Sequence, residues 1–312
     1  MIDILNIALP FFGLVLLGLL AGRVWKADES GLTWLNIFVV YFALPALIFN
    51  VVAATPLQKL ANPAYVLSTS GVTTFCFLLM LLLARKIFAT PLKTASLQAT
   101  SASYGNVGYM GLPLAVAFFG PEAAVPAALV FCFDCAVEFV LTPVVAGLDR
   151  SANNRQTLFW KITKDLCSHP FIIATALGIF ASALSYAPSG GIKSILDMLG
   201  RAAGPVALFA MGVTVGLRGK PELGRELPVL VLIKLVLQPL LAFFAISVFV
   251  EADRAWLDVA VMMAALPTAT NAFIMARQNN AYVQGASSAV IATTALSVLT
   301  IPLLVYALAY MA

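Results

Sequence analysis

The chain has 312 residues, 62% of them hydrophobic and only 10% charged. A mean hydropathy of +0.98 excludes a soluble domain of this length and points to a polytopic α-helical membrane protein. The formal net charge of +4 is spread over short loops, which argues against nucleic-acid binding and for topology determinants.

Apolar runs of about 20 residues, each enough for a hydrocarbon core of about 30 Å, recur along the chain. The first is expected from Ile4 to Ala21, the second from Leu32 to Ala53. The third follows Asn62-Pro63 and ends at Arg85-Lys86. The fourth starts near Thr94, and Gly120-Pro121 turns the chain into the fifth, Glu122 to Ala146. A polar segment follows. The sixth runs from Pro170 to Ala187, the seventh from Ile195 to Leu217 and the eighth from Leu227 to Val250. The ninth covers Trp256 to Ala276 and the tenth Ala281 to Tyr310. Asp3 and the lack of a small-x-small site argue against a cleaved signal peptide. Cys132 and Cys135 match a redox or zinc spacing, but within a span and without a second ligand pair they read as structural.

Two spans are anomalous. Ser101-Ala-Ser-Tyr-Gly-Asn-Val-Gly-Tyr-Met-Gly-Leu-Pro113 places three glycines, a proline, an asparagine and two tyrosines in the middle of the fourth. Leu266-Pro-Thr-Ala-Thr-Asn-Ala-Phe273 interrupts the ninth. Lipid cannot satisfy freed backbone groups, so a broken helix at that depth must be buried in protein or line a wet cavity. The bland alternative is that Gly105, Gly108 and Gly111 allow close helix packing and the prolines only kink.

The two anomalies occupy matching halves. Leu9-Pro-Phe11 matches His169-Pro-Phe171, and Pro45-Ala-Leu-Ile-Phe49 matches Pro205-Val-Ala-Leu-Phe209, both at an offset of 160 residues. Val140-Leu-Thr-Pro143 matches Val298-Leu-Thr-Ile-Pro302 with prolines 159 apart. An odd number of spans per half makes the halves inverted repeats, residues 1–146 and 169–312, joined by a cytoplasmic linker over 147–168. Thirteen of the eighteen Lys and Arg lie on the side reached after the first span, four on the other, and Lys234 within a span. The positive-inside rule then puts both termini outside.

The breaks define a candidate substrate site. Half-helix N-termini favour an anion such as a carboxylate. Asn106 and Asn271 add amides, Ser103, Thr268 and Thr270 hydroxyls, and Tyr104 and Tyr109 phenols, with Gly108, Pro113 and Pro267 shaping the backbone. A second group comprises the intramembrane charges, which default to functional hypotheses. Asp134 and Glu138 share one helix face at i and i+4, and Lys234 has Gln238 one turn on. They are candidates for coupling to H⁺ or Na⁺; alternatively Lys234 pairs with an acid or snorkels. No phosphate loop, paired metal-ligand cluster or nucleophile elbow is present in the sequence, so no resident cofactor or enzymatic activity is expected.

Gly105-Asn-Val-Gly-x-x-Gly-Leu-Pro113 in span four and Leu266-Pro-x-x-x-Asn271 in span nine, within ten spans, resemble the auxin efflux carrier family. Its compact bacterial members are described as permeases for malonate and related acids. The resemblance implies the fold of the bile-acid symporter and sodium–proton antiporter group. Spans 1–2 and 6–7 would form a scaffold, and spans 3–5 and 8–10 a transport domain moving as an elevator. Asn106, Pro113, Pro267 and Asn271 would fall where broken helices 4 and 9 cross. It also implies homodimers joined through the scaffold and, for bacterial members, the inner membrane. A long central loop, as in the plant carriers, is missing here, which argues against auxin as substrate. The expectation is a secondary active symporter of a small mono- or dicarboxylate anion within the lipid bilayer. The alternatives are an inorganic cation/proton antiporter or a non-transporting membrane sensor.

Overall fold

The computed structural model describes residues 2–25, 29–148, 160, 162–164, 167–186, 188–217, 222–251 and 253–311. Among these the regular structure is helical, and the only strand-like pairing is one isolated antiparallel bridge between Gly105 and Thr268. The linker expected over 147–168 lies largely outside the described residues. Six described helices are long and apolar enough to cross a membrane: Gly31–Ala53, Pro63–Lys86, Pro121–Ala146, Gly190–Leu217, Leu227–Phe249 and Val283–Tyr310. Shorter apolar helices cover Leu9–Trp25, Val107–Phe119 and Pro170–Ala183. Local chemistry marks many ends. Pro63–Lys86 finishes on Arg85 and Lys86, cations at the negative end of the helix dipole. Gly120, at φ 84°, stops Leu112–Phe119 in a conformation that only glycine adopts freely.

The chain divides into two compact units. The first comprises Met1–Pro63, Gly108–Cys132 and Ser168–Gly219. Within it, Ile2–Trp25 packs along Gly190–Leu217, and Pro170–Ala183 along Leu44–Ala53. Both contacts need the absence of a side chain. A Cβ on Gly18 would collide with the Phe209 carbonyl and lie 2.9 Å from the Val213 nitrogen. A Cβ on Gly178 would lie 2.8 Å from Val52 Cβ and 3.4 Å from the Ala53 nitrogen. Gly18 and Gly178 are 160 residues apart, and so are Ala53 and Val213. Glycine at such crossings lets backbones approach closely, the main source of helix association in lipid.

The second unit comprises Ala64–Val107, Phe133–Cys167 and Lys220–Ala312. Its core interleaves large side chains, Phe77, Met80, Leu230 and Ile233, with Ala99, Ala102 and Ala289. Arg254 fastens one end: its Nη2 donates to Leu308 O at 2.8 Å, its Nη1 to Met311 O at 3.3 Å and its Nε to Asp258 Oδ1 at 2.9 Å. Those carbonyls end the last helix, where a guanidinium fork replaces the missing helical donors.

Candidate functional site

The fourth span is interrupted over Tyr104, Gly105 and Asn106, between Leu92–Ser103 and a π-helical turn at Val107–Gly111. The ninth is interrupted between Arg254–Ala264 and Thr270–Gln278. The two interruptions satisfy each other. Asn106 N–H donates to Pro267 O at 2.8 Å, and Ala269 N–H to Tyr104 O at 2.9 Å. Thr268 adds a side-chain bond from Oγ1 to Ser101 O at 2.7 Å, and its N–H donates to Thr293 Oγ1 at 3.0 Å. This is how irregular backbone survives at membrane depth: its polar groups are paired within protein.

The half-helix ends differ in their treatment. The two C-terminal ends are capped from the eighth span. Lys234 Nζ donates to Ala264 O at 2.7 Å, and Gln238 Nε2 to Ser103 O at 3.0 Å. An ammonium at a helix C-terminus meets its partial negative charge. The N-terminus of Thr270–Gln278 has no side-chain cap, its N-cap residue being Ala269. Thr270 Oγ1 is buried there without a hydrogen-bond partner. The Asn271 side chain bonds the Tyr104 hydroxyl, which also meets Cys135 Sγ at 3.0 Å. A Cβ on Gly105 would lie 3.3 Å from Lys234 Nζ, so a side chain there would press on the ammonium.

The structure thus places Tyr104, Asn106, Pro267, Thr268, Thr270 and Asn271 together in the second unit. Gly108 and Pro113 belong to the first. A Cβ on Gly108 would lie 3.0 Å from the Phe131 ring. Pro113 occupies the first turn of Leu112–Phe119 and lines a cavity of about 320 Å³ with Arg201, Gly204 and Phe11. Tyr109 lies in the first unit too, its hydroxyl donating to Asn36 Oδ1 at 3.1 Å.

The four candidate coupling residues lie in the second unit, all buried: Asp134 is 5% exposed, Gln238 1%, and Glu138 and Lys234 0%. Lys234 neither snorkels nor touches a carboxylate. Among the described residues the ion pairs are Lys193–Asp197 and Arg254–Asp258. Lys234 Nζ instead donates to Gln238 Oε1 at 2.6 Å. Gln238 Nε2 donates onward to Thr73 Oγ1 at 3.3 Å, and Thr73 Oγ1 to Asp134 Oδ1 at 3.2 Å. Glu138 contacts Ser103 Oγ, with Thr142 Oγ1 3.5 Å from its other oxygen. Thr293, Thr100 and Thr142 were not singled out by sequence reasoning. The available signal was hydroxyls inside apolar spans, which bond neighbouring helices or carbonyls one turn back. Cys132 Sγ meets Thr175 Oγ1 at 2.8 Å, and Cys135 Sγ meets the Tyr104 hydroxyl.

Comparison with known proteins agrees with a membrane carrier. The sequence pattern of the family described as membrane transport protein matches residues 4–305. A protein of Rhizobium meliloti (strain 1021), described as a candidate malonate transporter, is 38% identical over 307 residues, covering 98% of this chain and 96% of the relative. An uncharacterized transporter of Methanothermobacter thermautotrophicus is 26% identical over 291 residues, 93% of each chain. The uncharacterized transporter YfdV of Escherichia coli (strain K12) is 23% identical over 305 residues, 96% of this chain and 95% of the relative. The family and these relatives are transporters, not enzymes.

Proposed function

This chain belongs to the membrane transport protein family, that of the auxin efflux carriers, and from that premise we propose that it is a secondary active carrier of a small organic anion, malonate-like in size and charge. The observation that carries the reading is the pair of interruptions bonded to each other through Asn106–Pro267 and Tyr104–Ala269. Amides and hydroxyls gather there, and the open N-terminus of Thr270–Gln278 offers N–H groups and the unpartnered Thr270 hydroxyl to a carboxylate. The description of the R. meliloti relative favours a dicarboxylate.

In this reading the ten spans form two inverted repeats whose broken helices, the fourth and ninth, cross at the substrate. The repeated glycine contacts, Gly18 against Val213 and Gly178 against Ala53, support it. Spans 1–2 and 6–7 would be a scaffold and dimer surface. Spans 3–5 and 8–10 would carry the substrate across the inner membrane, driven by H⁺ or Na⁺. The test is uptake of labelled malonate and other short mono- and dicarboxylates into proteoliposomes under imposed pH and Na⁺ gradients. Wild-type protein should accumulate at least one of them. Asn106→Ala and Asn271→Ala should lose saturable binding and uptake while eluting as folded protein. Unchanged affinity in both variants sinks the site.

A further inference from the structure

The buried network in the second unit contains three titratable groups in hydrogen-bonded positions, Lys234, Asp134 and Glu138, and its donors have a direction. Lys234 donates to Gln238, Gln238 to Thr73, and Thr73 to Asp134. Gln238 offers Nε2 hydrogens both to Thr73 and to Ser103 O, so its amide orientation is set. Every hydrogen in this chain points from the ammonium toward Asp134, whose Oδ1 is the acceptor at its end.

Glu138 is placed differently. Its near partner, Ser103, has a single hydroxyl hydrogen, and that hydroxyl lies 3.0 Å from Ala99 O as well as against Glu138 Oε1. Thr142 also has one hydrogen, and its oxygen lies 2.6 Å from Thr100 Oγ1 but 3.5 Å from Glu138 Oε2. Thr100 in turn donates to Ser96 O at 2.9 Å, so the short Thr142–Thr100 contact takes the Thr142 hydrogen. An ionised Glu138 would hold a full charge, wholly buried, with at most one good donor and, among the described residues, no cation within 4.0 Å, a costly state. A neutral Glu138 donates to Ser103 Oγ, Ser103 donates to Ala99 O, and every hydrogen is used. The electrostatic count agrees. One ammonium beside two acids is neutral overall when one acid keeps its proton. The other titratable groups facing Glu138 are Cys76 and Tyr104, and neither carries a compensating positive charge.

We propose that Glu138 is the proton-carrying site of this transporter and Asp134 the permanent counter-charge of Lys234. This rests on the carrier reading and adds to it the coupling ion and its seat. The proton leaves the Glu138 oxygen to water when the site opens to one side and returns from water at the other. Lys234 is committed to the carbonyl of Ala264 and to Gln238.

The decisive measurement is infrared spectroscopy of purified protein in lipid, which does not depend on transport. Wild type should show the carbonyl stretch of a buried protonated carboxyl, shifted in heavy water, lost in Glu138→Gln and kept in Asp134→Asn. A wild-type spectrum without that band, or a band that survives Glu138→Gln, overturns the proposal. Should Asp134→Asn fail to fold, wild type and Glu138→Gln alone decide. In proteoliposomes Glu138→Gln should lose accumulation driven by a pH gradient, down to the outside concentration. Retained gradient-driven accumulation also overturns it. If the band is found where expected but no organic anion is carried, the carrier reading fails and the proton site stands.

Discussion

At the scale of single residues, the spacing of Lys234 and Gln238 one turn apart was visible in the sequence, and their task was not. Lys234 could have paired with an acid or reached for the membrane edge. Its actual acceptors are a side chain in its own helix and the last carbonyl of a half-helix thirty residues on. Gln238 is the hinge of the arrangement, touching Lys234, Thr73 and Ser103 at once. Gln238→Leu should therefore take one hydrogen bond each from the buried ammonium, the Thr73 hydroxyl and the Ser103 carbonyl. The expected loss is about 1–3 kcal/mol, since an orphaned buried group forfeits its solvation without return. Thermal unfolding of detergent-solubilised protein would register it as a lowered midpoint, and an unchanged midpoint would mean the Gln238 bonds contribute nothing.

At the scale of elements, composition alone located both interruptions. Gly, Pro and Asn inside apolar runs are a local signal. What composition could not give was their mutual pairing, because Tyr104 and Ala269 are far apart in the chain and their hydrogen bond is a long-range contact. The expected break spanned residues 101–113, whereas the helix is lost only over Tyr104–Asn106. The glycines after it are absorbed in a π-helical turn, and Pro113 sits in a helical first turn where it costs no hydrogen bond. The helix pairs are also decided by small residues. Gly212 faces Val15 and Leu19 so closely that a Cβ would lie 2.9 Å from the Leu19 nitrogen. Gly212→Ala should push Ile2–Trp25 off Gly190–Leu217 and destabilise by about 1–3 kcal/mol through overpacking. Gly71→Ala, at a position where a Cβ meets nothing within 4 Å, is the control and should be neutral. Equal melting of the two variants would remove the packing argument.

At the scale of the whole molecule, two compact units partition the chemistry. The second holds the paired interruptions and Lys234, Asp134 and Glu138; the first holds the glycine-packed helix pairs. The charge asymmetry of the loops gives an orientation that can be measured directly. A phosphatase fused after Ala312 should be active outside the cytoplasm, and a fluorescent protein in the same place should stay dark. A bright fluorescent fusion would reverse the assignment of sides.

The sequence by itself determined where the helices run, where two of them break, and the family. Each of these is written in local runs: apolar length, Gly and Pro position, and the motifs around Asn106 and Asn271. Only the tertiary structure decided which groups meet. It gave Lys234 a helix end rather than a carboxylate, and gave Thr293 the amide of Thr268. The reason is physical. Hydropathy is a property of a segment, whereas a hydrogen bond at membrane depth belongs to two segments brought together by folding, and nothing in either one names its partner.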